Sequence, residues 1–238
     1  MPTKNCGKFI VFEGIDGSGK STQTKLLSEY LKGQGYNTVK IDFPQHGEKS
    51  SGLVDEYLTG KYGPADAVGP YRPSIFYACD RYDASFKIRQ WLAEGKIVIA
   101  DRYLASNIGH QGGKIKSKVA WKKYVRWLYN LEYKIFGIPK PNLTLILKTN
   151  PEFSMKLAGH ITDQEKLAKR RAYLVGEKKD IHETDKSHLS NALRSFLWAA
   201  KEFPRDFKVI ECVKNKQLLP LDEIAKIVIK TVQPILVK

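Results

Sequence analysis

The fold is decided by residues 9 to 21, which read Phe9-Ile10-Val11-Phe12-Glu13-Gly14-Ile15-Asp16-Gly17-Ser18-Gly19-Lys20-Ser21. The first five of these residues form a short apolar run that ends in one acid, a pattern that predicts a buried strand. Gly14 to Ser21 match the pattern G-x-x-x-x-G-K-[ST], and a helix-forming run over 21–31 follows. A strand, a glycine-rich turn and a helix in this order indicate a phosphate-binding loop.

Each part of this loop suits a nucleoside triphosphate. The glycines let the backbone curve closely enough for its N–H groups to point at phosphate oxygens, and the helix start adds its positive dipole end. Lys20 can neutralise the β- and γ-phosphates, and the Ser21 hydroxyl can ligate Mg²⁺. We therefore predict an ATP-binding segment that consists of Gly14, Ile15, Asp16, Gly17, Ser18, Gly19, Lys20, Ser21 and Thr22.

The rest of the chain alternates strand and helix patterns. Short apolar runs predict strands at 9–13, 38–42, 97–101, 143–148 and 207–211, and helical periodicity covers 21–31, 74–92, 120–135, 188–201 and 221–232. This alternation predicts an α/β fold of the P-loop NTPase type, with a five-stranded, mainly parallel sheet and helices on both faces. We expect a single domain over 1–238, with a charged, mobile helical lid at about 159–186.

The composition limits the partners. The net charge of +15 indicates anionic partners, either phosphorylated small molecules or nucleic acid. No apolar run is long enough to cross a membrane, and the N-terminus does not resemble a secretory signal. We expect a cytoplasmic protein.

A second motif, Asp101-Arg102-Tyr103, follows the strand predicted at 97–101. The carboxyl ends of parallel strands are where open α/β sheets bind ligands. Asp101 is placed to hold Mg²⁺, and the planar fork of Arg102 suits phosphate oxygens. Asp16 lies inside the anion-binding loop, so its carboxylate needs another task, such as accepting a hydrogen bond from a second ligand's hydroxyl.

With these motifs in order, the sequence resembles the thymidylate kinases over nearly its whole length. The resemblance is carried by 12–23, Phe43-Pro44, Tyr77-Ala78-Cys79-Asp80-Arg81, 101–107, Gln111-Gly112-Gly113, 141–147 and Asp180-Ile181-His182-Glu183. It implies transfer of the γ-phosphoryl of ATP to dTMP with Mg²⁺, in a homodimer.

The resemblance also implies roles for matching positions. Lys20, Arg102 and Asp16 would be catalytic, and Arg102 would clamp the acceptor phosphate. The loop has Gly17 where some relatives have an arginine, so Arg170 or Arg171 in the lid would supply the catalytic arginine; the sequence does not distinguish between them. The substrate-binding set would comprise Asp16, Phe43, Tyr77, Arg81, Arg102, Asn107, His110, Gln111, Asp180 and Glu183. His110 replaces a tyrosine that is usual beside the sugar.

Two alternatives stay open at this point. A kinase of the same fold could use another acceptor, either a different nucleotide or a deoxynucleoside, for which Glu13 would be the candidate base. The basic charge also allows an ATPase that associates with nucleic acid, although this reading would leave the Arg102 and Tyr77–Arg81 motifs unexplained. We therefore expect nucleic acid not to be a partner.

Overall fold

Five short strands form one sheet in this computed structural model, which describes residues 7–158 and 186–236. The strands are β1 (Lys8–Glu13), β2 (Thr38–Asp42), β3 (Ile97–Asp101), β4 (Leu143–Lys148) and β5 (Phe207–Glu211). Their order is β2-β3-β1-β4-β5, and every pairing is parallel. The five predicted strands and the α/β fold class are confirmed.

The strand order places the chain's first strand at the centre of the sheet. β1 pairs with β3 on one side and with β4 on the other. The connection from β1 leads to β2 on the β3 side, and the connection from β3 crosses to β4 on the other side. In open α/β sheets, ligands bind at such a switch point, beyond the carboxyl ends of the strands. The register sets Phe12 beside Asp101, which brings the segments after β1 and β3 to the same edge.

Nine α-helices lie in the described ranges 7–158 and 186–236. They are α1 (Lys20–Gly33), α2 (Gly52–Leu58), α3 (Ala65–Val68), α4 (Tyr71–Ala93), α5 (Leu104–Ser106), α6 (Lys118–Tyr129), α7 (Pro151–Ala158), α8 (Lys186–Glu202) and α9 (Leu221–Leu236). In this same part of the chain, no helix is long and apolar enough to cross a membrane.

The two faces of the sheet bury separate cores. Phe9 and Val11 of β1 point into the core formed with α4, α6 and α8. Ile10 and Phe12 point to the opposite side, into the core formed with α1 and α9. Because consecutive strand residues face opposite ways, the part of a strand that is covered on both faces must be apolar at every position, as residues 9–12 of β1 are.

Several elements interrupt the simple alternation. The pattern over 120–135 predicts one helix, but α6 ends at Tyr129 and continues as the π-helical turn Asn130–Ile135. A second π-helical turn, Asn107–Gln111, follows α5. A small antiparallel hairpin pairs β6 (Val213–Lys214) with β7 (Gln217–Leu218). Wider π turns are frequent at functional sites because they redirect side chains within a helix.

Candidate active site

The phosphate-binding loop joins β1 to α1 at the carboxyl edge of the sheet. α1 begins at Lys20, directly after Gly19, which cannot cap the helix with a side chain. An anion can therefore accept hydrogen bonds from the first N–H groups of α1. The buried Lys20 ammonium donates to the carbonyl oxygens of Gly14 at 3.1 Å and of Ile15 at 2.9 Å. These bonds keep the cation inside the loop.

Gly17 makes a close contact with α7. Its φ is +75°, and a Cβ added to it would lie 2.0 Å from the carbonyl oxygen of Ser154. A side chain at this position would have to displace the backbone of α7. The contact explains why this loop position holds glycine.

Arg102 follows β3 with a φ of +72°, a left-handed conformation. Such a conformation costs a non-glycine residue about 1–3 kcal/mol. Its own N–H donates to the carbonyl oxygen of Phe12 at 2.8 Å, and the next N–H, of Tyr103, donates to Glu13 Oε1 at 2.8 Å. These two bonds offset the strain and hold the turn against β1.

The Arg102 guanidinium bridges the loop and the π-helical turn Asn107–Gln111. Nη2 pairs with the Asp16 carboxylate, and Nη1 lies 3.0 Å from His110 Nε2. Burial alone would raise the pKa of Asp16, but the charges of Arg102 and Lys20 hold that pKa well below its usual range. Asp16 is therefore ionised at neutral pH.

Glu13 is fully buried at the end of β1 and organises the segment after β3. Its Oε1 accepts the N–H of Tyr103 at 2.8 Å and of Ser106 at 2.9 Å, while Oε2 accepts the Ser106 hydroxyl at 2.6 Å. Burial raises the pKa of Glu13 to about 7, against the lowering effect of the Ser106 hydroxyl. Through these contacts Glu13 positions the backbone around Arg102.

Two oxygen ligands could hold a metal near the loop. Asp101 ends β3 and is buried, and Ser21 is the second residue of α1. Carboxylate and hydroxyl oxygens are the donor type that Mg²⁺ takes, and Mg²⁺ on nucleotide phosphates needs only one or two protein ligands. The donor set fits the predicted ion.

Aromatic residues lie beside this site. The rings of Tyr77, on α4, and Tyr57, on α2, meet edge to face with centroids 6.4 Å apart. Phe43 is buried, and the centroids of its ring and the Tyr103 ring are 5.5 Å apart. The Phe43–Pro44 peptide is cis.

Arg81 does not face open solvent; it is 1% exposed. Its Nε and Nη2 donate to the two carboxylate oxygens of Glu132 at 2.6 and 2.7 Å, and Nη1 donates to the carbonyl oxygen of Tyr103 at 3.3 Å. Asn107 is also buried and donates to the carbonyl oxygen of Ser74 at 3.2 Å. The structure thus gives both predicted base-recognising residues protein partners.

Gln111 differs from its neighbours. Its side chain is 1% exposed, and among residues 7–158 and 186–236 no group donates a hydrogen bond to its Oε1. A buried amide oxygen without a donor is costly, so a group supplied from outside would lower the free energy there. The predicted contact of Gln111 with substrate remains a prediction.

Four predicted site residues lie outside the described part of the chain. They are Arg170, Arg171, Asp180 and Glu183. The predicted lid at 159–186 lies there too, apart from Lys186, the first residue of α8.

The sequence did not reveal three residues that support the site. Glu132 binds Arg81, His188 lies 3.2 Å from His110, and Lys114 donates to the Tyr57 hydroxyl at 2.8 Å. Burial lowers the pKa of Lys114 to about 8. Each of these is a charged or polar residue in a helical or basic run, a pattern that is typical of a solvated surface. No local signal distinguishes them.

The comparison with protein families decides the identity of this site. A family profile described as thymidylate kinase matches residues 12–217. The chain belongs to the thymidylate kinase family. The resemblance inferred from the motifs and the assignment as an enzyme of this family are confirmed.

Curated relatives and a solved structure agree. The chain is 34% identical over 207 residues to a thymidylate kinase of Thermoanaerobacter sp. (strain X514), covering 86% of this chain and 89% of the relative. It is 30% identical over 146 residues to one of Mycobacterium tuberculosis, covering 61% and 67%. The fold matches a thymidylate kinase structure from Candida albicans with a TM-score of 0.67 and 24% identity, covering 96% of this chain and 92% of that one.

Proposed function

We propose that this thymidylate kinase transfers the γ-phosphoryl of ATP to dTMP, giving dTDP and ADP. One observation carries the proposal: the Asp16 carboxylate of the phosphate-binding loop is paired with the Arg102 guanidinium after β3. The pair joins a donor-phosphate loop to a cation suited to an acceptor phosphate. Family membership favours this reaction over the ATPase that associates with nucleic acid.

On the donor side, residues 14–22 bind ATP. Lys20 is buried inside the loop, and the N–H groups at the start of α1 face the phosphates. Ser21 and Asp101 would hold Mg²⁺, which neutralises charge on the β- and γ-phosphate oxygens. When phosphates bind, Lys20 exchanges its loop carbonyls for phosphate oxygens.

On the acceptor side, Arg102 binds the phosphate of dTMP. A phosphate monoester is already anionic near neutral pH, so the transfer needs no general base and depends on positioning and charge neutralisation. Lys20, Arg102 and one lid arginine, Arg170 or Arg171, supply the positive charge. An arginine in such a role contributes on the order of 10³–10⁵ in rate.

Arg81 donates to the thymine base while it stays paired with the buried Glu132 carboxylate. A guanidinium has about five N–H groups, and the contacts in the described residues use Nε–H, one Nη2–H and one Nη1–H. The two that remain, one on each terminal nitrogen, can donate to a base carbonyl. Glu132 fixes the plane of the guanidinium, while the Tyr77 ring covers the face of the base.

The sugar and the pocket walls involve the rest of the predicted set. Asp16 accepts a hydrogen bond from the 3′-hydroxyl, and Phe43 lines the nucleoside pocket. Asn107, His110 and Gln111 lie on one π-helical turn and face the base and sugar. Asp180 and Glu183, at the end of the lid, complete the set.

The decisive experiment measures ADP release with dTMP, dUMP, dCMP, dGMP and thymidine offered as separate acceptors. We expect dTMP to be used best and dCMP to be rejected, because cytosine has an amino group in place of one of the two carbonyls of thymine, and an amino group cannot accept from the Arg81 guanidinium. Thymidine should not be phosphorylated, because Glu13, the candidate base for a 5′-hydroxyl, is already bound to the N–H groups of Tyr103 and Ser106 and to the Ser106 hydroxyl. Faster turnover of thymidine or dGMP than of dTMP would contradict the proposal.

Paired variants test the residues. Lys20→Ala and Arg102→Ala should lose turnover while keeping the circular dichroism spectrum of the wild type. Lys25→Ala on the exposed side of α1 and Arg126→Ala on the exposed side of α6 are the controls and should keep full activity. Near-normal activity in either of the first two variants would rule out its proposed role.

We further propose that the enzyme is a cytoplasmic homodimer that joins through α4. Tyr71, Ile75, Tyr82 and Phe86 are all exposed, and Phe86 is 58% exposed. At helical periodicity these four residues fall on one stripe of α4, and apolar stripes of this kind mark protein interfaces. The family resemblance implies that the partner is a second copy of the chain.

Sedimentation velocity tests the assembly. Phe86→Glu should convert a dimer to a monomer, because it places a charge in the stripe that the dimer would bury. Val119→Glu, at an exposed position on α6, is the control and should leave the sedimentation coefficient unchanged. A wild-type monomer at micromolar concentration would refute the homodimer.

A further inference from the structure

Four polar side chains form a continuous chain from α8 to the phosphate-binding loop. His188 Nε2, on α8, lies 3.2 Å from His110 Nδ1, and His110 Nε2 lies 3.0 Å from Arg102 Nη1. Arg102 Nη2 then pairs with the Asp16 carboxylate. The series links a helix that contributes no residue to the predicted site with the guanidinium proposed to bind the acceptor phosphate.

The chemistry of arginine sets the direction of every hydrogen bond in this series. A guanidinium has only donors, so His110 Nε2 must accept the hydrogen bond from Arg102. A neutral imidazole that accepts at Nε2 carries its proton on Nδ1. His110 Nδ1–H therefore donates to His188, and His188 Nε2 must accept.

The geometry of the two rings suits such a bond. Their planes are inclined by only 21°, and their centroids are 5.5 Å apart. The edge of His110 also meets the Phe196 ring at 90°, with centroids 5.8 Å apart. His110 is thus held between two residues of α8.

α8 is itself fixed against the turn that carries His110. A Cβ added to Gly109 would lie 2.2 Å from the Phe196 ring, so only glycine allows the helix to approach this closely. The Ser195 hydroxyl donates to the carbonyl oxygen of Ile108 at 2.6 Å. With α8 anchored in this way, His188 is a fixed acceptor for His110.

The opposite tautomer of His110 would place an N–H at Nε2, directly against the Arg102 guanidinium. That arrangement sets two donors against each other and would push Arg102 away from its position. Burial also disfavours a charged imidazole at this place, so the pKa of His110 lies well below its ordinary value. His110 is therefore neutral, and its tautomer decides whether Arg102 is held.

We propose that His188 is a positioning residue for the phosphoryl-transfer reaction. By accepting a hydrogen bond from His110 Nδ1–H, His188 keeps the lone pair of His110 Nε2 available to accept from Arg102, and this bond orients the guanidinium. The proposal rests on the proposed role of Arg102 at the acceptor phosphate. It assigns His188 a function that depends on its acceptor nitrogen rather than on its size.

The first test reads the tautomer directly. The chain has five histidines, and ring ¹⁵N labelling with long-range ¹H–¹⁵N correlation at pH 8 distinguishes Nδ1–H from Nε2–H in each of them. Loss of one signal in His188→Gln and of another in a His110 variant assigns the two resonances. We expect Nδ1–H at His110 in the wild type. An Nε2–H or imidazolium His110 would overturn the proposal, whether or not dTMP is the substrate.

The second test uses two variants of His188. In His188→Leu the acceptor is lost, so we expect Nε2–H to become populated at His110 and kcat/KM for dTMP to fall about ten-fold, the effect of one hydrogen bond. The KM for ATP should stay within about two-fold. In His188→Gln the side-chain oxygen can accept, so the His110 tautomer and most of the activity should be retained.

The remaining arms separate positioning from a structural effect. Ser190→Ala, at an exposed position of the same helix, is the control and should match the wild type in both readouts. An unchanged His110 tautomer in His188→Leu, or an equal loss in His188→Gln and His188→Leu, would overturn the proposal. Absence of dTMP turnover in the wild type would refute the proposed function alone and leave the tautomer result to stand.

Discussion

Removing the Glu132 carboxylate should destabilise the enzyme strongly. Glu132 is 0% exposed and Arg81 is 1% exposed, and two hydrogen bonds of 2.6 and 2.7 Å join them. Glu132→Leu would leave a buried guanidinium without its counter-charge, which costs about 3–5 kcal/mol. For a chain of this size a loss of 1 kcal/mol lowers Tm by about 2–4 °C, so we expect a fall of roughly 6–20 °C.

A double-mutant cycle tests the reasoning through urea unfolding. Arg81→Met with Glu132→Leu removes both charges, so it should be more stable than Glu132→Leu alone. Glu211→Gln is the control: its pair with Lys148 is exposed, so we expect a change of less than about 1 kcal/mol. A loss under about 1 kcal/mol in Glu132→Leu, or additive losses in the double variant, would show that the buried pair does not act in this way.

Three further outcomes are expected. Gly109→Ala should lower the free energy of unfolding by about 1–3 kcal/mol, because its Cβ would lie 2.2 Å from the Phe196 ring; Gly33→Ala, a helical position with no atom within 4 Å, should instead stabilise by about 0.5–1 kcal/mol in the same urea titration. Gly17→Ala should raise the KM for ATP at least about ten-fold in a steady-state assay, because its Cβ would meet a carbonyl oxygen at 2.0 Å within the loop. Burial raises the pKa of Glu13 to about 7, above its ordinary 4.5, so the native state binds one proton more than the unfolded state between these pH values. The free energy of unfolding should therefore decrease as the pH rises through this range, and Glu13→Gln should lack this decrease when unfolding is measured from pH 4.5 to 8.

The strands were predictable because their cause is local. The central strands β1, β3 and β4 lie buried with helices on both faces, so each is a mainly apolar run of five or six residues. The edge strands β2 and β5 are only partly buried and carry Lys40 and Lys208. The helix at 120–135 shows where local patterns fail. An acid at position 132 in a helical run normally faces water, but the π-helical turn Asn130–Ile135 turns Glu132 inward to Arg81. Its partner Arg81 lies 51 positions away in the sequence, so no local pattern indicates the pairing.

The ATP side and the proposed acceptor side of the site differ in how far apart their residues lie in the sequence. The ATP-binding loop could be predicted from one stretch because its backbone donors, its cation Lys20 and its proposed metal ligand Ser21 lie within nine consecutive residues. On the acceptor side, contributions come from helices that are distant in sequence. Arg81 could be named from the motif, but its pairing with Glu132 could not.

The sequence by itself determined the phosphate-binding loop, the parallel α/β sheet and membership of the thymidylate kinase family, since each depends on residue types at short, regular spacing. The tertiary structure alone decided which polar side chains are partners. His110 and His188 are 78 positions apart and meet only because Gly109 lets α8 pack against the turn Asn107–Gln111. Hydrogen bonds and charge pairs act over a few ångströms, and the folded chain, rather than sequence distance, sets which groups lie that close.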